Sequence, residues 1–433
     1  MMSHAHNPFW IAAILGLSLL RISHAQGMAE YDLPPLNYSS APTTNAADRF
    51  ARDWTASRPA DHSPHPLDLL RRVLDYFQIP EASQTLVFSK TSLQLDLIRP
   101  DRPRAVYFSD NAYLGFVRNG LFELTVTDPD LGVVFYAVHP QKRSVERSQN
   151  CMNCHGGART DKWPGVFVRS VLVDQDGNMH GDAPTAVIRH DTPLDQRWGG
   201  WYVTGLHGKG RHLGNLIASR VGGRATMDSE KGANLQDLSG FFDTSAYLRP
   251  DSDIVALLVL EHQCEMHNRL TRAMLRCRKW LQYQRELDRA LDRHSGPLPS
   301  GTAQRVIDDE TERILEYMLF CGEERLPSGG VSGAGDFEEA FRANRKTDSQ
   351  ERSLKDFELK RRLFQYRCSY MIYSDAFESL SPELKRSVYQ GLFAILSAEE
   401  LPEKYAHLRP NERRIIREIL LETKPEIAEF LSP

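Results

Sequence analysis

The chain lacks an apolar run long enough to cross a membrane, and it has no strong excess of charge of either sign. Its N-terminal apolar run, Phe9 to Leu20, has about 12 residues, whereas a spanning helix needs roughly 20. The net charge of -4 over 433 residues is nearly balanced, which argues against nucleic acid as a partner. No repeat of roughly 20–50 residues is found, so a repeat array is excluded.

The short apolar run is followed by Ser23-His24-Ala25, a small-x-small pattern suited to signal peptidase. We therefore expect residues 1–25 to be a secretory signal peptide, cleaved near Ala25. The mature protein is then exported, to the periplasm, without a transmembrane segment. A cytosolic N-terminus is the alternative, and the absence of Lys and Arg before the run favours it.

Cysteine is scarce, with six residues in the chain. Two of them belong to one short motif, and the other four are Cys264, Cys277, Cys321 and Cys368. Cys264 and Cys277 are predicted on one helix, 13 positions apart, so roughly 20 Å separates them and they cannot form a disulfide. Any disulfide should therefore involve Cys321 or Cys368, and free buried thiols are the alternative.

The short motif is Cys151-Met152-Asn153-Cys154-His155. In a Cys-x-x-Cys-His motif the two thiols bind the vinyl groups of haem, and the His reaches the iron as its proximal ligand. We expect one covalent haem c, held by Cys151, Cys154 and His155, because the chain has a single Cys-His dipeptide. A zinc half-site, with Cys264 and His267 as the second pair, and a redox Cys-x-x-Cys are the alternatives.

The sixth position of the iron has several candidate ligands. Met266 and His262 are four residues apart on a predicted helix, so they share one face of it. His207 and His212 lie in a Gly-rich loop, and Met179 lies in a predicted turn. A Met ligand raises the reduction potential, a His ligand lowers it, and no ligand leaves an open site.

Aromatic residues cluster in the segment Arg197 to Tyr202. Trp198, Trp201 and Tyr202 are candidates for the apolar wall of a haem pocket. Ordinary packing in a sheet is the alternative interpretation of the same cluster.

The hydrophobic pattern predicts an α+β fold. Pro66 to Phe77 has helical periodicity, as do residues 251–291, 302–325 and 354–433. Alternating and β-branched residues predict antiparallel strands at 105–108, 112–117, 121–127 and 133–138, and a later hairpin that begins at 166–173. Asn119-Gly120 is a strong hairpin signal. The predicted organisation is an extended or flexible arm at 26–65, a β-rich haem-attachment domain at 66–250 and a mainly helical domain at 251–433.

Beyond the motif, four strings resemble a family of large exported bacterial proteins with a single cytochrome c motif. They are Phe88 to Ser92, Arg197 to Gly205, Leu260 to Gln263 and Tyr366 to Tyr370. The resemblance covers about residues 70–430. It implies haem attachment at Cys151 and Cys154, His155 as an axial ligand, and electron transfer.

We therefore expect single-electron transfer with a redox partner protein. The alternatives are a haem enzyme with an open axial site and a haem-based sensor or interaction module. In the enzyme, His262, His267 or His207 would act as acid or base, and Arg197 or Arg211 would polarise bound oxygen species.

Overall fold

The computed structural model describes residues 28–56, 65–181, 185–221, 224–226, 232–293 and 299–431. The predicted signal peptide at 1–25 lies outside these ranges. Within them, no helix is both long enough and apolar enough to cross a membrane.

A seven-stranded antiparallel sheet dominates the first half of the chain, in the order β6-β5-β4-β3-β2-β1-β9. Its strands are β1 (Thr85–Val87), β2 (Arg104–Phe108), β3 (Ala112–Phe116), β4 (Phe122–Asp128), β5 (Gly132–His139), β6 (Ser144–Arg147) and β9 (Trp201–Tyr202). Two hairpins lie outside it, formed by β7 (Val168–Val171) with β8 (Thr185–Ile188), and by β10 (Ser219–Val221) with β11 (Arg224–Thr226). The predicted meander is confirmed, and so is the later hairpin.

Turn chemistry sets the register of the meander. Asn119 has a φ of 64°, a left-handed conformation that Asn tolerates, and the Gly120 amide donates to the Val117 carbonyl at 2.9 Å. At the next turn the Asp128 carboxylate accepts from the amides of Asp130 and Leu131. Both turns therefore reverse the chain where the sequence predicted.

Helices form most of the second half. They are α1 (Ala46–Ala56), α2 (Pro66–Tyr76), α3 (Met152–His155), α4 (Ile254–Ala290), α5 (Gly301–Met318), α6 (Phe337–Arg342), α7 (Asp375–Glu378), α8 (Pro382–Ser397), α9 (Pro410–Thr423) and α10 (Ile427–Leu431). The N-cap of α4 is Asp253, whose carboxylate accepts from the amides of Val255 and Ala256. The α+β class and the helical second half are therefore confirmed.

The predicted helical stretch at 354–433 starts later than expected. The Glu358 carboxylate accepts from the amides of Lys360, Arg361 and Arg362, which closes a tight turn instead of a helix. Phe357 and Phe364 then form an isolated antiparallel bridge, and helical structure resumes only further along the chain.

Residues 28–56 fold onto the sheet, although the sequence predicted an extended or flexible arm at 26–65. The Tyr38 hydroxyl donates to the Val133 carbonyl at 2.8 Å, and the Asn45 amide donates to the Tyr136 hydroxyl at 2.8 Å. Helix α1 follows, and its residue Trp54 is buried. Buried aromatic side chains thus pack this segment against the sheet, a contact that its Pro- and Ser-rich composition does not predict.

Side chains alternate between the two faces of the sheet. Tyr136 points to the face covered by residues 28–56, so its neighbour Phe135 points to the opposite face. We call this opposite face the Phe135 face. Part of it is covered by α4, because His267 of that helix contacts Tyr113 and Thr127, which lie on the Phe135 face by register. The buried apolar side chains of both halves form one continuous core.

Candidate functional site

The Cys-x-x-Cys-His motif follows β6 and forms two short helical turns. Gln149–Cys151 is a 3-10 turn, and Met152–His155 is α3. Both motif thiols are free; Cys151 is half-buried, and Cys154 is exposed. The helical turn places both sulfur atoms and the imidazole in one short segment.

The imidazole of His155 is held in one orientation by its own loop. Its Nδ1 lies 2.8 Å from the Gly165 carbonyl oxygen. A carbonyl can only accept, so Nδ1 carries the proton. Burial lowers the pKa of His155 to about 4, and the ring is therefore neutral at pH 7. The lone pair is then on Nε2, which is the form of histidine that binds a metal.

Two phenylalanines flank this ring. The ring centroids of Phe135 and His155 are 4.7 Å apart, and those of Phe167 and His155 are 5.0 Å apart. Phe135 comes from the sheet, and Phe167 directly precedes β7. The imidazole thus packs against two apolar rings, one from the sheet and one from the loop after the motif.

The loop after the motif is fastened to α4 by Asn268. The Val166 amide donates to Asn268 Oδ1 at 2.8 Å, and Asn268 Nδ2 donates to the Val166 carbonyl at 2.7 Å. A Cβ atom on Gly165 would lie 2.5 Å from Asn268 Oδ1, so this approach requires glycine. The position of the Gly165 carbonyl, and with it the orientation of His155, therefore depends on the long helix.

The N-terminal segment approaches the motif from another side. A Cβ atom on Gly156 would lie 2.5 Å from the Tyr31 hydroxyl oxygen. Gln149, just before the motif, donates to the Ser39 carbonyl at 2.9 Å. Residues far apart in the sequence thus enclose the motif.

No family model, curated protein or solved structure matches the chain.

The Phe135 face continues with Ala137 along β5. Ala137 lies two residues from Phe135 and pairs with Glu123, which in turn pairs with Gly115. Ala137 and Glu123 are half-buried. His139 lies on the same face, two residues further along the strand.

The predicted sixth ligands on α4 are engaged elsewhere. His262 is buried, with Nδ1 3.1 Å from His190 Nδ1 and Nε2 2.8 Å from Ser369 Oγ. Met266 is also buried, and it is two positions from Asn268. Two helical positions differ by roughly 200° around the axis, so Met266 points away from the motif loop that Asn268 holds.

The other predicted ligands also have local roles. The Asn234 amide donates to His207 Nε2 at 2.9 Å, and the Gly214 amide donates to His212 Nδ1 at 3.0 Å. Met179 is 45% exposed, in a turn that bridges back to Val173. Among the described residues, the ring contacts and hydrogen bonds of the His155 side chain involve none of the five predicted ligands.

The aromatic cluster at 197–202 divides between two places. Trp198 donates from Nε1 to Glu261 of α4 at 3.2 Å, and Arg197 forms a buried ion pair with the same carboxylate. Trp201 and Tyr202 form β9 at the sheet edge, and Trp201 donates to the Arg169 carbonyl at 2.8 Å. Arg197 is thus committed to Glu261, so it is not available for the role proposed in the enzyme alternative.

The remaining cysteines are free thiols. Burial raises the pKa of Cys277, Cys321 and Cys368 to about 12, which keeps them unreactive. The second pair of the zinc alternative is also unsuitable, since both ring nitrogens of His267 are engaged, by the Tyr113 and Thr127 hydroxyls at 3.0 and 2.8 Å.

Proposed function

We propose that the protein is an exported c-type cytochrome that transfers single electrons to and from a redox partner protein. One haem c would be held by thioether bonds at Cys151 and Cys154, with His155 as the proximal iron ligand. The observation that carries the proposal is the bond between His155 Nδ1 and the Gly165 carbonyl. It leaves Nε2 as the lone-pair nitrogen, in a motif whose two thiols are free.

The residues around the motif suit such a group. Phe135 and Phe167 contact the imidazole, and Asn268 fixes the loop that orients it. Partners of this kind, which orient a ligating histidine, are typical of metal sites. Bound haem would supply an iron that changes its charge by one electron.

Electron exchange is supported by the exposure of the motif. Cys154 is exposed, so a group attached there lies close to the protein surface, within reach of a partner protein. Of the residues named for the enzyme alternative, His262, His267 and Arg197 are hydrogen-bonded to other protein groups, and His207 accepts from the Asn234 amide. The contacts therefore favour electron transfer over the enzyme.

Intact-mass measurement tests the attachment directly. Protein matured in cells with a working cytochrome c assembly pathway is expected to carry one haem adduct and to be coloured. Replacing both Cys151 and Cys154 by serine should abolish the adduct, because no thiol remains to form the bonds. The matched control is Cys321→Ser, which removes a half-buried thiol outside the motif and should keep the adduct. Unmodified thiols in colourless wild-type protein would refute the proposal.

The visible spectrum of the reduced protein tests the sixth ligand. Met266→Leu and His262→Gln are expected to leave the spectrum unchanged, because these side chains do not point toward the motif. His139→Ala is measured beside them, since His139 lies on the Phe135 face, four residues along β5 from the ring that contacts His155. A spectral change in that variant alone would identify His139 as the ligand. Rapid carbon monoxide binding by the wild type would instead indicate an open site, and a change with Met266→Leu or His262→Gln would contradict the expectation.

A further inference from the structure

Arg104 and Glu123 form an ion pair on the Phe135 face. Arg104 Nη1 lies 2.7 Å from Glu123 Oε2. The carboxylate also accepts from Gln94 Nε2 at 3.0 Å and from the Ser92 hydroxyl. Burial opposes ionisation, but the Arg104 charge and these hydrogen bonds outweigh it, so the pKa of Glu123 lies below its usual value. The pair is therefore charged and firmly held.

This pair borders the motif. Glu123 pairs across the sheet with Ala137, two residues from the Phe135 ring that contacts His155. Arg104 lies on the same face, because Val106 pairs with Gly115 and Gly115 pairs with Glu123. Both charges thus lie on the face of the sheet whose Phe135 ring contacts the proposed iron ligand.

One donor of this pair has no acceptor. Arg104 Nε is buried, and it has no hydrogen-bond partner among the described residues. A buried donor without a partner is unfavourable, so such groups are uncommon in folded proteins. The guanidinium is held by Glu123 through Nη1, and its Nε–H is left free to donate to a bound group.

We propose that Arg104 is a positioning residue whose Nε donates a hydrogen bond to an anionic oxygen of the haem group. The acceptor would be a carboxylate side chain of the porphyrin or a small anion bound at the iron. Glu123 holds the guanidinium in place for this contact. The inference rests on the proposed function, because it requires haem at the motif.

Charge removal tests this arrangement through the midpoint potential of the haem. The reduced iron carries one positive charge fewer, so a nearby cation stabilises the reduced state and a nearby anion stabilises the oxidised state. Arg104→Gln is therefore expected to lower the potential, and Glu123→Gln to raise it. A general disturbance of the fold would not produce shifts of opposite sign.

A second ion pair provides matched controls. Arg352 and Glu418 are 2.9 Å apart, with side chains 14% and 31% exposed, against 17% and 31% for Arg104 and Glu123. Arg352→Gln and Glu418→Gln should leave the potential unchanged. Arg104→Lys keeps the charge but loses the planar guanidinium, so its midpoint potential should stay closer to that of the wild type than the potential of Arg104→Gln does.

The source of the acceptor is separated by repeating the measurement without and with added formate, an anion whose acceptor atoms are oxygens. A shift in Arg104→Gln that is present in anion-free buffer identifies a porphyrin carboxylate, whereas one that needs formate identifies a small bound anion. The inference would be overturned if the Arg104 and Glu123 variants had the same midpoint potentials as the controls. It would also be overturned if both variants shifted the potential in the same direction. The haem adduct is verified by mass in the wild type and in every variant. Absence of the adduct from the wild type would refute the proposed function. An adduct with unshifted midpoint potentials would refute only the role of Arg104.

Discussion

Replacing Glu261 by alanine is expected to lower the free energy of unfolding by about 3–5 kcal/mol, as is typical when one partner of a buried ion pair is removed. Glu261 and Arg197 are 0% and 3% exposed. The carboxylate accepts from the Arg197 guanidinium and from the Trp198 indole. Without it, the Arg197 charge remains buried with only the carbonyls of Thr192 and His190 as partners.

Denaturant unfolding measures this loss. The matched control is Glu312→Ala, which breaks an exposed ion pair with Lys404 and should cost less than about 1 kcal/mol. A double variant, Arg197→Met with Glu261→Leu, should recover part of the loss, because no uncompensated charge stays buried. A cost for Glu261→Ala no greater than that of the control would contradict the predicted role of the pair.

Stability is expected to depend on pH between 7 and 5 through buried neutral histidines. Burial lowers the pKa of His262 to about 3 and that of His267 to about 4, from 6.5 in the unfolded chain. At a pH between the native and the unfolded pKa of each ring, the unfolded chain binds more protons than the native protein. The stabilisation from the neutral rings is thus complete above about pH 6.5, and it falls by up to about 1.4 kcal/mol per pH unit for each ring as the solution is acidified.

One buried carboxyl acts in the opposite sense. Burial raises the pKa of Glu323 to about 7, so its native form binds protons between pH 7 and 4.5, and its contribution grows on acidification. The decisive quantity is therefore the difference in slope between the wild type and His267→Gln, measured by denaturant unfolding at several pH values. His267→Gln removes one titrating ring and should flatten the loss of stability. Equal slopes in the two proteins would rule out this contribution of His267.

Local sequence signals were enough to predict four neighbouring strands of the sheet, β2 to β5. The meander follows from alternating side chains between two specific turns, Asn119-Gly120 and Asp128 to Gly132, and each of these signals lies within a few neighbouring residues. The long helix α4 was predicted from its periodicity. The motif itself needs only five consecutive residues.

Contacts between distant segments were not predictable in this way. Asn268 meets Val166, 102 positions away, and the sequence marks it only as a polar residue near an apolar stripe. The Arg104–Glu123 pair spans two hairpins, and nothing in either segment signals the other. Residues 28–56 were predicted as part of an extended or flexible arm, and the sequence does not show that their buried aromatics find partners on the sheet.

Two sets of contacts hold the motif and its loop, one with residues 31–39 and one with Asn268. They suggest an order for cofactor attachment and folding during biogenesis. Thiolate is the reactive form of cysteine, and burial raises the pKa of Cys151 in the folded protein. In the nascent, still unfolded polypeptide this sulfur is unshielded and more reactive. If the proposed porphyrin is attached at that time, the N-terminal segment and the long helix close around it afterwards, and the cofactor serves as a template for the last stage of folding.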